Sequence, residues 1–233
     1  MNGTKTTSAT MHRTPEPELM DEPAQARAYA EADFSEPNQL FADAVAETLG
    51  QTHRGRLLDL GCGPGDICLR LARALPDWRI VGLDAGPNML KLAAAAVADS
   101  DQGGRIELIQ ARLPEHGLTR PFDAIVSNSL LHHLPDPMTL WHSVVELAQP
   151  GTYVQVMDLH RPDSLARARW LVDEHAAGAP EILRQDFYNS LLAAWTIEEV
   201  RDQFEQAGLG DLRLTRPTER HWMASGFIRS LPT

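Results

Sequence analysis

The period of the apolar positions changes repeatedly along the chain, and the changes mark out its elements. From 24 to 49 the spacing is helical, with Leu40, Phe41, Ala44, Val45 and Leu49 on one stripe and a break expected over 35–38, where the sequence reads SEPN. Short apolar runs then alternate with helical stretches. Strands are predicted over 56–60, 79–83, 105–109, 122–127 and 152–159, with helices over 66–75, 87–98 and 137–147. Pro76 stops the first of these helices, and Pro87 suits the first turn of the second. Past 162 the rhythm becomes helical, over 163–177 and 181–194. A further helix follows, opened by a capping box of Thr196 and Glu199, and two strands are predicted near 211–215 and 221–228. Regular alternation of strand and helix predicts an α/β fold of the Rossmann-like, doubly wound kind, its strands mostly parallel and their C-terminal ends along one ligand-binding edge.

Composition narrows the function classes. The formal net charge is −11, and the only lysines are Lys5 and Lys91, so a phosphate backbone is repelled and no nucleic-acid partner is expected. Cys62 and Cys68 make neither a disulfide framework nor a zinc-ligand spacing, which fits reduced thiols in the cytoplasm. No apolar run reaches the roughly 20 residues of a membrane span. The Thr-, Ser-, Pro- and Glu-rich start predicts a flexible leader over 1–22 ahead of a single domain over 23–233.

The densest chemistry lies in LLDLGCGPGD, residues 57–66, where three glycines stand between two aspartates at the end of the first strand. Glycine admits positive φ and lets a ligand approach the main chain. The Gly61, Gly63, Gly65 spacing departs from the G-x-G-x-x-G dinucleotide fingerprint, and Asp66 would repel a pyrophosphate arriving at the helix start. A ligand carrying an ammonium and a sulfonium instead gains from nearby carboxylates. Asp59 can hold the ammonium, and Asp84, at the end of the second strand, can accept from both hydroxyls of a ribose.

LLDLGCGPGD, VGLDAGPNML and FDAIVSNSLLHHLPDP resemble motifs I, II and IV of the class I S-adenosylmethionine-dependent methyltransferases, and AQPGTYVQVMDLHRPDS resembles their fifth-strand segment. The SNSLLHH form is similar to the ubiquinone/menaquinone-biosynthesis and other small-molecule branches. The resemblance implies a seven-stranded sheet with its last strand antiparallel, plus N-terminal helices and a helical insertion over 163–194 acting as a lid. It implies methyl transfer from S-adenosylmethionine to a small-molecule acceptor. It places that cofactor along Asp59, Gly61, Cys62, Gly63, Gly65, Asp84, Ala85, Met89, Ala111, Arg112, Leu113 and Ser127. One departure stands out: relatives carry a Gly-Asp-Ala triplet after the third strand, where this chain has Ala111 and Arg112 within LIQARLPEHG.

Methyl transfer from a sulfonium is an in-line displacement that gains rate by alignment, and it needs a general base only if the acceptor must lose a proton. His133 and His160, after the fourth and fifth strands, are the candidate bases. Asn128, His132, Tyr188 and Trp222 are candidate acceptor contacts, together with Tyr29 and Phe34, whose rings could also face the sulfonium. Adjacent histidines usually diverge, so no metal site is expected among His132, His133, Asp158 and His160. A homodimer built on the 163–194 helices stays open, as do a non-catalytic cofactor-binding subunit and, on the same kind of sheet, an NAD-dependent oxidoreductase.

Overall fold

Seven strands form one sheet in the order β3-β2-β1-β4-β5-β7-β6. The computed structural model describes residues 11–16, 21–50, 54–119 and 121–231. The strands are β1 (Gly55–Leu60), β2 (Trp78–Asp84), β3 (Ile106–Gln110), β4 (Ala124–Asn128), β5 (Tyr153–Leu159), β6 (Arg213–Thr218) and β7 (His221–Phe227). Strands β1 to β5 pair in parallel, whereas β7 runs antiparallel between β5 and β6. The expected sheet is therefore present, its antiparallel strand included. Most of the expected leader lies outside the described residues.

Helices α1 (Pro23–Glu31) and α2 (Ser35–Leu49) precede the sheet, and α3 (Asp66–Ala74), α4 (Pro87–Ala98) and α5 (Met138–Leu147) connect its strands. Helices α6 (Leu165–His175) and α7 (Glu181–Ala193) form the insertion, and α8 (Ile197–Ala207) leads into the closing hairpin. The break between α1 and α2 falls at 32–34, not over 35–38. Asp33 Oδ1 accepts from the Ser35 amide at 3.0 Å, and Pro37 sits in the first turn, where its missing N–H costs nothing. SEPN thus starts a helix. The predicted capping box at Thr196 and Glu199 is formed in both directions.

Alternation along the strands splits the core in two. Leu58, Leu60, Ile125, Val154 and Val156 face α5 and α8, with Trp141 and Phe204 in edge contact at 5.0 Å. Leu57, Ile80, Val126 and Met157 face α2 and α3. The same alternation corrects one expectation. Trp222 on β7 turns into the α5/α8 core and is fully buried, so it does not touch the acceptor side, and its neighbour His221 takes the cavity wall. Trp222→Phe is expected to lower stability by about 1–3 kcal/mol through the void left behind. Cofactor and acceptor affinities should stay unchanged; a raised acceptor KM together with an unchanged thermal midpoint would restore Trp222 to the site.

Candidate functional site

Strand β1 has β2 on one side and β4 on the other, so the chain leaves the sheet in opposite directions beside it, which is where doubly wound sheets open a crevice. The cavity there has two lobes. The inner one, about 250 Å³, is lined by the glycine turn, Asp59, Asp84, Met89 and the 111–113 segment. The outer one, about 410 Å³, reaches under α7 to Leu183, Phe187 and Ser190, and to Arg220 and His221 at the hairpin. Tyr29, Phe34, Asn38, Asn128, Ser129 and His133 line both lobes and so form their junction.

The turn is held from the second strand. Gly61 and Cys62 donate their amides to Leu83 O at 2.8 and 3.0 Å. Asp84 clamps the loop with both carboxylate oxygens, accepting from Gly63 N at 2.8 Å and Gly86 N at 2.7 Å. At Gly63, with φ +51°, a Cβ would meet nothing within 4 Å, so the bare backbone faces open cavity. At Gly65, φ +87°, a Cβ would press on Ala93 at 3.1 Å, and glycine serves helix packing there. Burial raises the Asp84 carboxyl above the usual carboxylate range despite these amide bonds.

Asp59 is 1% exposed and carries one side-chain hydrogen bond, donated to its Oδ2 by Cys68 Sγ at 3.3 Å. Burial pushes it up to about 7, an acid poised for a cation. The neighbouring thiols are free and buried. Tyr29 and Phe34 face each other with ring centroids 4.8 Å apart. Burial, and then the nearby carboxylates, push Tyr29 up to about 12, so its hydroxyl is a donor and not a base. Asn128 donates to Asn38 Oδ1 at 3.1 Å, which leaves the Asn128 Oδ1, itself buried, with a spare acceptor at the junction.

The histidines divide. The 3-10 turn Leu131–His133 brings His132 and His133 together, ring centroids 4.1 Å apart, contrary to the expected divergence. His132 Nδ1 meets Asp158 Oδ1 at 2.5 Å, and that carboxylate also accepts from the amides of Leu159 and His132. Burial works against the His132 cation, but Asp158 outweighs it and raises the pKa. His160 lines neither lobe. Its amide donates to Arg220 O at 2.8 Å and it forms a parallel bridge with Trp195, which ties the insertion to the sheet. Tyr188 packs beneath α6 and α7, and Ser127 donates to Leu60 O at 2.8 Å; neither lines a lobe, nor does Gly65. The other cofactor candidates, Ala85, Ala111, Arg112 and Leu113 included, do line the inner lobe, and His132 lines the outer one.

Three residues that brace the walls of the cavity without lining it come from the stretch expected to be a flexible leader. Asp21 caps α4 by accepting from Asn88 N at 2.9 Å and Met89 N at 3.2 Å. Arg13 donates to Ala193 O, His132 O and Leu134 O and lies 4.1 Å over the Trp195 ring. Glu16 reaches the histidine pair. Only their charge could have drawn attention to them.

With this geometry in place the chain can be set beside known proteins. A family model described as a methyltransferase domain matches residues 58–154. Over these residues the chain resembles methyltransferase domains. The chain is 30% identical over 128 residues to a ubiquinone biosynthesis O-methyltransferase of Pseudoalteromonas translucida, covering 54% of this chain and 52% of that one. It is 39% identical over 89 residues to a trans-aconitate 2-methyltransferase of Streptomyces avermitilis, covering 37% and 33%. The chain thus spans from a third to about half of the length of these relatives. Among solved structures, the plantazolicin methyltransferase BpumL in complex with SAH shares the fold at TM-score 0.66 and 13% identity, over 87% of this chain and 90% of that one. A SAM-dependent methyltransferase from Aquifex aeolicus does so at TM-score 0.60 and 17% identity, over 88% and 97%. No helix among the described residues is long and apolar enough to cross a membrane.

Proposed function

We propose that the chain moves the methyl group of S-adenosylmethionine onto a small, anionic organic acceptor by in-line displacement. The observation that carries this is the two-lobed cavity, with Asp59 and Asp84 at the glycine turn in one lobe and Arg220 on the wall of the other. Asp84 faces the ribose hydroxyls, Asp59 the ammonium, and the methyl lies at the junction beside Tyr29, Phe34 and Asn128. The family match supports the donor, and the net charge of −11 speaks for a small acceptor over nucleic acid. A cytoplasmic setting accords with the two free cysteines. An oxidoreductase reading has no observation behind it.

Arg220 narrows the acceptor. Its guanidinium is half-buried on the wall of the outer lobe, 5.8 Å from the Phe187 ring, with no side-chain hydrogen bond or ion pair to any described residue. Burial lowers its pKa, and an acceptor carboxylate or phenolate would restore the balance. The acceptor's nucleophilic atom then sits near His133, at the edge where its proton leaves.

The test is transfer of labelled methyl from S-adenosylmethionine to a panel of hydroxy acids, phenols and thiols. Turnover is expected on acidic members. Arg220→Met should raise their KM by about 10- to 100-fold, the worth of a charge-assisted pair, with kcat little changed. Donor binding without turnover across the panel would instead favour a non-catalytic partner subunit.

A further inference from the structure

Among the described residues, Glu16, His132 and His133 form a cluster of possible metal donors. Glu16 Oε1 lies 3.2 Å from His133 Nδ1 and 3.6 Å from His132 Nε2, and all three donor atoms fall within 4.8 Å of one another. A tetrahedral zinc ion with bonds of about 2.0–2.1 Å holds neighbouring donors about 3.3–3.4 Å apart, close to the 3.2 and 3.6 Å that separate Glu16 from the two rings. We propose that Glu16, His132 and His133 form a binding site for a divalent transition-metal ion, with its open coordination position toward the outer lobe.

Three further features fit an ion better than a simple hydrogen-bonded knot. His132 Nδ1 lies 2.5 Å from Asp158 Oδ1, and with its proton held there the neutral ring, which a bound cation would favour, offers Nε2 on the Glu16 side. A carboxylate behind a ligating histidine is the usual second layer of a metal site. Glu16 comes from far along the chain yet is pre-positioned beside the pair. Glu16 is anchored by Ser190 Oγ at 3.0 Å, and its segment is pinned by Arg13 and by the Thr14 amide on Leu192 O at 2.9 Å. Both histidines line the outer lobe, so a fourth ligand can arrive from there. Two imidazoles and one carboxylate select zinc or iron(II) over magnesium or calcium.

An ion in this position could hold the acceptor through an oxygen. That role rests on the acceptor-lobe reading, whereas the site itself does not. Glu16 lines neither lobe, so its loss separates the two.

The untagged, metal-free full chain should be titrated with Zn²⁺ by calorimetry and with Co²⁺ by visible absorption. The expected result is one ion per chain with the intense bands of four-coordinate cobalt. Glu16→Ala should weaken binding by more than about 100-fold, beyond what loss of a second-layer group does, while S-adenosylhomocysteine affinity stays at the wild-type value. His133→Ala provides a second variant with the same expected metal defect. No stoichiometric ion in wild type, with S-adenosylhomocysteine still bound, would overturn the site and leave the proposed function standing. Stoichiometric binding unaltered in both variants would place the ion elsewhere and overturn it too. Loss of S-adenosylhomocysteine binding in wild type would count against the proposed function instead.

Discussion

Asp84→Ala is expected to weaken S-adenosylhomocysteine binding by about 100-fold or more, since two hydrogen bonds to a carboxylate contribute about 1.5–3 kcal/mol each. Two losses combine. The ribose hydroxyls lose their acceptor, and the glycine turn loses the clamp on Gly63 N and Gly86 N. The second loss reaches the protein without ligand, because each amide left unpaired costs about 1–3 kcal/mol where water cannot replace the carboxylate. Calorimetric titration and thermal melting together tell the two apart. A lowered melting midpoint with unchanged affinity would make Asp84 a structural clamp only. Asp84→Asn should fall between, because the amide keeps one acceptor and turns an NH₂ toward one backbone donor.

That double duty was only half visible in the sequence. Asp84 at the end of an apolar run, about twenty residues past a glycine turn, speaks of a ribose. That its oxygens also grip residues 63 and 86 depends on β1 and β2 lying side by side, a long-range fact. The same division runs through the chain. Strands and helices were legible because their periods are local, and so was the Thr196–Glu199 box, a pair three residues apart. Trp222 was placed in the site for want of one fact, which face of β7 looks at the cavity; a one-residue change of face hands that place to His221. His160 follows β5 as expected, yet a bridge to Trp195 turns it from the cavity. Glu16, Arg13 and Asp21 carry no periodic signal, and their roles come only from where an irregular segment lies against α4, α7 and the histidine turn.

The second large effect is a pH dependence centred on Asp59. Burial holds its carboxyl up at about 7, so in the ligand-free protein it is protonated in acid and ionised only above neutrality. An incoming ammonium needs the ionised form. Affinity for S-adenosylmethionine should therefore climb about tenfold per pH unit below 7, then level off. It should fall again near pH 8, where a free α-amino group itself loses its proton, at about 7.7–8.0. Stability runs the other way. A carboxyl whose folded pKa is raised favours folding in acid, and that advantage is lost as pH rises from its unfolded value, about 3.9, through the folded one. Asp59→Asn keeps the shape and an acceptor for Cys68 but cannot ionise. Its ligand-free form should melt higher than wild type at pH 8, by a margin worth a few kcal/mol at most, and like wild type near pH 4. Its affinity for the donor should drop about 10- to 100-fold at pH 7.5 and lose the part of the acid limb that centres on about 7. Calorimetric titrations from pH 5 to 8.5, paired with melts of both proteins, decide it. A limb centred near 7 that persists in the variant would mean another group holds the ammonium, whereas one confined to lower pH belongs to Asp84, whose carboxyl burial also raises. A variant no more stable than wild type at pH 8 would mean that the buried carboxylate of Asp59 costs the fold nothing.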